Sequence, residues 1–130
     1  MLLVEDNETI RNAFAVLLRE SGYVVEQAAS GADALARAAE MDPDLILMDL
    51  GLPDMNGLEV TRRLKKDPAT ARARVIAITG RALETAYEAC IAAGCSAYVA
   101  KPVDTRLLLR IIEEELGKAR LEKHPKPPQT

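Results

Sequence analysis

Tryptophan is missing from this 130-residue sequence, and one phenylalanine and three tyrosines are its only aromatics. A core of stacked rings is excluded, so the interior must be built from Leu, Ile, Val and Ala. Histidine occurs once, as His124 in a proline-rich tail, and no partner motif lies near it. Cysteine occurs twice, as Cys90 and Cys95 with four residues between them. That spacing matches neither a CxxC redox pair nor a zinc knuckle. Both cysteines read as reduced, semi-buried small hydrophobes. An excess of basic charge is also lacking. The net charge is -3 and the sequence pI about 5.2, which gives no general attraction for nucleic acid or anionic lipid. The apolar runs, such as Ala13 to Leu18 and the stretch ending at Met48, fall short of the roughly 18 residues of a membrane span, and no basic segment follows Met1. The expectation is a cytoplasmic protein that binds neither nucleic acid nor membrane directly.

What is present suits one globular domain. Hydrophobic residues make up 48 % and charged residues 28 % of the chain, and a chain of this length buries roughly two thirds of its unfolded surface on folding. Short apolar runs alternate with stretches of helical periodicity, the pattern of βα units around a parallel sheet. The strand candidates are Leu2 to Val4, Val24 to Ala28, Leu45 to Met48, Val75 to Thr79 and Ala97 to Val99. Most are continuous apolar runs, as expected where helices cover both faces of a sheet. Punctuation sets the helices. Gly22 closes the first, and Ser30 with Asp33 resembles a capping box opening the second. The third spans about Gly57 to Lys65 and is stopped by Asp67-Pro68. A fourth covers about Leu83 to Ala93 and ends at Gly94, and Asp104 caps a fifth that runs to about Leu116. From Gly117 onward the expectation is a frayed helix end and a flexible, basic, proline-rich extension.

In an open parallel sheet, functional groups collect at the carboxyl ends of the strands. Here those ends carry Glu5 and Asp6 after the first strand, Asp49 after the third, Thr79 on the fourth, and Lys101 followed by Pro102 after the fifth. Three carboxylates sharing one crevice repel unless a cation sits among them. With only oxygen donors at hand, Mg²⁺ fits best and Mn²⁺ also suits. Lys101 adds a fixed positive charge. The set is arranged to stabilise the spread negative charge of a transferring phosphoryl group.

Taken together, Leu2-Leu3-Val4-Glu5-Asp6-Asn7, Asp44 to Asp49, Leu52-Pro53-Asp54-Met55-Asn56-Gly57, Val75 to Thr79 and Tyr98-Val99-Ala100-Lys101-Pro102 resemble the receiver domain of two-component response regulators. The resemblance covers residues 1–117, with 118–130 as tail. It implies a doubly wound α/β fold, (βα)5, with a flavodoxin-like five-stranded parallel sheet in the order 2-1-3-4-5. It makes Asp49 the phospho-acceptor and Glu5 and Asp6 the acidic pair. Asp6, Asp49 and the backbone carbonyl of Gly51 would ligate Mg²⁺. Thr79 would hydrogen-bond a phosphoryl oxygen, Lys101 would pair with it, and Tyr98 would be the aromatic that changes rotamer on activation. A cis Lys101-Pro102 bond is also implied. Partners would be a histidine kinase or histidine phosphotransfer protein and a downstream protein target. The chain would not be an enzyme, although it would assist its own phosphorylation and dephosphorylation.

Each residue also has a plainer reading. The acidic pair could be solvated or cap a helix, Thr79 could simply end a strand, Tyr98 could be core, and Lys101 surface. Their joint occurrence favours the site. The first strand has fewer residues before Glu5 than receivers usually have. Gly51 and Gly80 put no side chain over the site, so small donors such as acetyl phosphate should reach Asp49. Two other functions compete. A haloacid-dehalogenase-type phosphatase wants an Asp two residues after its nucleophile, where Gly51 stands. A receiver-shaped scaffold that is never phosphorylated usually lacks the acceptor or the Lys. The runs most resemble single-domain cell-cycle or developmental regulators and receivers attached to hybrid histidine kinases.

Overall fold

A computed structural model describes residues 1–80 and 83–123. Five parallel strands, β1 (Leu2–Val4), β2 (Glu26–Ala28), β3 (Leu45–Asp49), β4 (Arg74–Thr79) and β5 (Ala97–Ala100), alternate with five helices: α1 (Glu8–Glu20), α2 (Gly31–Met41), α3 (Gly57–Lys66), α4 (Leu83–Ala93) and α5 (Thr105–Lys123). The sheet order is β2-β1-β3-β4-β5, so this is the doubly wound flavodoxin-like arrangement the motifs implied. Alternation along each strand splits the core in two. Leu2, Val4, Ile46, Met48, Val75 and Ala77 pack against α2, α3 and α4. Leu3, Leu45, Leu47, Ile76, Ile78 and Val99 pack against Ala15 and Leu18 of α1 and Leu108 and Ile112 of α5. Strands buried on both faces cannot alternate with polar residues, which is why β1, β3 and β4 read as unbroken apolar runs.

The helix boundaries follow the local chemistry. Asn7 accepts from the Ile10 N–H at 3.0 Å, Ser30 from the Asp33 N–H at 3.1 Å, and Asn56 from the Leu58 N–H at 2.9 Å. Asp104 accepts from the N–H groups of Arg106 and Leu107. Gly22 and Gly94 take the left-handed φ values of 97° and 102° that end α1 and α4. Just past Gly94, the Cys95 N–H donates to the Cys90 carbonyl at 2.9 Å. Both cysteines are free and buried. Burial pushes both thiols up, that of Cys95 to about 12.

Two boundaries differ from the sequence expectation by more than one residue. The second strand begins at Glu26, not Val24, and Val24 is 82 % exposed. Only Val25 of that apolar pair enters the core, and the Val24 carbonyl accepts from the amino terminus of Met1 instead of a strand partner. The fifth helix does not stop at Leu116 but continues to Lys123. The reason is spacing: Leu108, Ile112, Glu115 and Ala119 are all buried and recur at helical intervals, so the stripe that binds α5 to the sheet runs past Gly117. A Cβ on Gly117 would meet nothing within 4 Å, so this glycine faces open space and ends nothing. The segment after Lys123, with His124, lies outside the described residues. No helix among the described residues is long and apolar enough to cross a membrane.

Candidate phosphoryl-acceptor site

The carboxyl ends of four strands, β1, β3, β4 and β5, meet with the loops that follow them along one edge of the sheet. Asp49, the last residue of β3, is buried, and its Oδ1 accepts from the Gly51 N–H at 3.0 Å and from Lys101 Nζ at 3.1 Å. Glu5 follows β1 and is also buried, its Oε1 accepting from the Asn7 N–H at 3.1 Å. Asp6 is exposed beside it. One carboxylate oxygen from each of Glu5, Asp6 and Asp49 lies within 4.8 Å of the others. Burial pushes the Glu5 carboxyl up to about 7, the Asn7 N–H pulling it down and neighbouring Asp49 adding to the rise. A buried acid beside a second buried acid is the environment that a divalent cation relieves. The donor set is oxygen only, which suits Mg²⁺ or Mn²⁺ and not a soft metal.

Lys101 follows β5, which lies next to β4 in the sheet, and the Lys101-Pro102 peptide is cis. The Lys101 N–H donates to the Thr79 carbonyl at 2.8 Å, which fixes the start of that loop against β4. A cavity of about 180 Å³ opens between Asp49, Leu50, Gly51, Thr79, Gly80 and Lys101. A Cβ on Gly80 would meet nothing within 4 Å, and one on Gly51 only Asp49 Oδ1 at 3.7 Å. The approach to Asp49 is therefore not screened by those two positions.

Thr79 is buried at the end of β4 and lines that cavity. Tyr98 pairs in register with Ala77, while Thr79 pairs with Ala100. Paired residues of parallel strands share a face, so Thr79 and Tyr98 lie on the α3–α4 side as diagonal neighbours. The Tyr98 ring is half-buried and meets Tyr87 of α4 edge-on, with centroids 5.7 Å apart and planes at 73°.

Further contacts that sequence reading did not identify hold the site. Arg11 of α1 donates to the carbonyls of Glu5 at 3.0 Å and Asp6 at 3.4 Å, and its Nε to Gln27 at 3.1 Å. Gly57 sits where a Cβ would come within 2.5 Å of the Asp49 carbonyl oxygen. Asp54 binds two N–H groups of α2. The sequence signal for Gly57 was its place at the end of the Leu52-to-Gly57 turn. Arg11 carries no such signal, and Asp54 reads only as a residue of that same turn, with nothing pointing to α2.

The response regulator receiver domain model matches residues 1–113. The polar-differentiation response regulator DivK of Brucella ovis is 41 % identical over 119 residues, covering 92 % of this chain and 97 % of that protein. A CheY-like receiver domain protein of Methanospirillum hungatei superposes with a TM-score of 0.86 at 34 % identity, over 93 % of this chain and 95 % of that one. The receiver domain of a sensor histidine kinase from Pseudomonas aeruginosa, solved with a magnesium ion coordinated in its active site cleft, gives a TM-score of 0.81 at 37 % identity, over 89 % of this chain and 95 % of that one.

Proposed function

This chain belongs to the response regulator receiver family, and from that premise we propose that it is a signalling switch in which Asp49 accepts a phosphoryl group from a histidine kinase or histidine phosphotransfer protein. The observation that carries the reading is the buried Asp49 carboxylate held 3.1 Å from Lys101 Nζ while sharing a 4.8 Å cluster with Glu5 and Asp6. Glu5, Asp6, Asp49 and the Gly51 carbonyl are the groups that would hold Mg²⁺. The ion, when bound, offsets the charge of the carboxylates and of the incoming phosphoryl oxygens.

The chain's own groups do the positioning. An Asp49 carboxylate oxygen attacks phosphorus, the new O–P bond forming as the P–N bond to the donor imidazole breaks. The electron pair returns to the ring nitrogen, which takes a proton from solvent. The Gly51 N–H and Lys101 Nζ, both on Oδ1, fix the carboxylate's orientation, and Lys101 balances charge on the phosphoryl group. Thr79 donates its hydroxyl to a phosphoryl oxygen. Phosphorylation adds about one further negative charge and new acceptor oxygens. Movement of Thr79 toward them opens space on the side where Tyr98 lies, and the rotamer of Tyr98 reports the change to α4, β5 and α5. A coupling of about 1–3 kcal/mol is typical of such devices and shifts a population without inverting it completely. The same groups assist hydrolysis of the acyl phosphate, and the protein catalyses no other turnover. We place it in the cytoplasm, with a protein as its downstream target. The likeness to DivK supports a signalling regulator of that kind, and the likeness to the kinase receiver supports a phosphorelay partner.

The test is intact mass after incubation with acetyl phosphate and Mg²⁺. One added phosphoryl group is expected in the unsubstituted chain, and none in Asp49→Ala or without metal. No gain from acetyl phosphate or from a panel of phosphorylated histidine kinases would leave the unphosphorylated scaffold as the better account.

A further inference from the structure

The segment between β3 and α3, residues 50–56, carries Gly51 and has to keep one shape if its backbone is to serve the metal site. Its base is pinched: the Leu50 N–H donates to the Ile78 carbonyl at 3.0 Å, and the Gly57 N–H to the Leu50 carbonyl at 3.2 Å. Gly51 itself is exposed, and a Cβ there would meet only Asp49 Oδ1, at 3.7 Å. Between Gly51 and the far end of the loop, two anchors remain. Leu52 is buried, and Asp54 reaches across to α2. Asp54 Oδ1 accepts from the Gly31 N–H at 2.8 Å and Oδ2 from the Ala32 N–H at 3.0 Å. Those two donors hold its carboxyl below the usual carboxylate range. The next residue, Met55, lies so close to the same helix turn that a Cβ on Gly31 would stand 2.5 Å from Met55 Cγ.

An N-cap role alone does not account for Asp54. Helix α2 already has its cap in Ser30, which takes the Asp33 N–H. Of the two donors that Asp54 takes, the Ala32 N–H is exposed and open to water, whereas the Gly31 N–H belongs to a buried residue. What the carboxylate adds is a link between elements 23 residues apart in the chain. We propose that Asp54 is a positioning residue of the acceptor site, a clamp that fastens the β3–α3 loop to the first turn of α2 and so holds Gly51 where its carbonyl can ligate the metal. This rests on the metal-site reading above.

The test is Mg²⁺ titration calorimetry on the full chain, with melting temperature measured in parallel, for the unsubstituted protein, Asp54→Ala, Asp54→Asn and Ser30→Ala. Ser30→Ala removes a cap from the same helix without touching the loop, so it separates helix stability from loop placement. Asp54→Ala is expected to weaken Mg²⁺ binding about three- to tenfold, less than the roughly 10–100-fold seen when a direct partner of a metal ligand is lost. Asp54→Asn keeps one acceptor oxygen and should fall between. Ser30→Ala should lower the melting temperature by a few degrees and leave Mg²⁺ affinity unchanged. Equal Mg²⁺ affinity in Asp54→Ala and the unsubstituted chain, or equal weakening by Ser30→Ala, overturns the clamp alone. No Mg²⁺ binding by the unsubstituted chain removes the site reading and the clamp with it.

Discussion

Gly57 opens α3, yet its importance lies in the close backbone approach that its missing side chain allows at Asp49. Replacing it by alanine would bring a Cβ to 2.5 Å from the Asp49 carbonyl oxygen, 2.8 Å from Leu50 Cα and 3.1 Å from the Asp49 carbonyl carbon. All three are backbone atoms of the segment that carries Asp49, so no rotamer change relieves the contact. Overpacking typically costs about 1–3 kcal/mol, and rigid backbone contact belongs at the upper end. Alanine returns roughly 0.5–1 kcal/mol over glycine in a helix. The net expectation is a loss of about 2 kcal/mol, or roughly 8 °C in melting temperature for a domain of this size. With no tryptophan to report, urea unfolding followed by far-ultraviolet circular dichroism is the assay. Two controls bracket it. At Gly31 the nearest atom is Met55 Cγ at 2.5 Å, with Val60 Cγ2 at 2.9 Å, side-chain atoms that can partly give way, so Gly31→Ala should lose about 1 kcal/mol or less. At Gly80 a Cβ meets nothing, and Gly80→Ala should stay within about 0.5 kcal/mol of the native chain. Gly57→Ala also has to move the Asp49 backbone, so its Mg²⁺ affinity should fall while that of Gly80→Ala holds. A Gly57→Ala protein as stable as Gly80→Ala would refute the argument.

Glu5, with its folded carboxyl pushed up to about 7, predicts two pH effects. Without metal, the folded chain retains a proton that the unfolded chain has released, so stability falls as pH rises from about 4.5 toward 7; Glu5→Gln should flatten that slope in urea titrations across the range. Metal binding displaces the same proton, so Mg²⁺ affinity should drop by up to about tenfold per pH unit below 7, and a calorimetric affinity that is flat from pH 5.5 to 7.5 would contradict it. Lys101→Met removes the ammonium from Asp49 Oδ1; because that side chain is 40 % exposed, the metal-free fold should lose only about 1 kcal/mol, while Mg²⁺ binds more tightly and acetyl phosphate labelling drops. A loss of Mg²⁺ affinity in this variant would count against the charge balance assigned to Lys101. Cys90 and Cys95, buried and with raised thiol pKa values, should resist a thiol-reactive disulfide reagent in the native state and both react in urea; fast native labelling would show that the end of α4 opens.

Sequence carried the sheet well wherever burial on both faces forced an uninterrupted apolar run, as in Leu45 to Met48 ahead of Asp49. It overextended β2 because Val24 and Val25 look alike in a pattern, although only Val25 faces the core and Val24 is 82 % exposed on a sheet edge. It shortened α5 because Gly117 looks like a stop, when the buried stripe through Glu115 and Ala119 decides the helix's length. The acidic residues, Thr79 and Lys101 were legible because strand ends gather in one place and charge chemistry restricts what can share it. Arg11 and Asp54 were not, since a side chain that binds backbone atoms of another element leaves no periodicity. Asp54 reads as a turn residue in Leu52-Pro53-Asp54, and only the fold reveals the α2 turn it holds.

That difference has a physical root in how such a site must be held. Glu5, Asp6 and Asp49 repel one another, so their own side chains cannot stabilise the arrangement before a cation arrives. The shape has to be imposed by groups that gain from it, and most of those contacts involve the backbone: the Asn7 N–H on Glu5, the Gly51 N–H on Asp49, Arg11 on the carbonyls of Glu5 and Asp6, Asp54 on the N–H groups of Gly31 and Ala32. A hydrogen bond of this kind contributes about 0.5–1.5 kcal/mol net, and more when one partner is charged. Several of them together are needed to hold three carboxylates in a partly buried cluster. The residues proposed for the chemistry are thus the ones charge reasoning finds in a sequence, whereas those that hold them in place act largely through main-chain atoms every residue possesses.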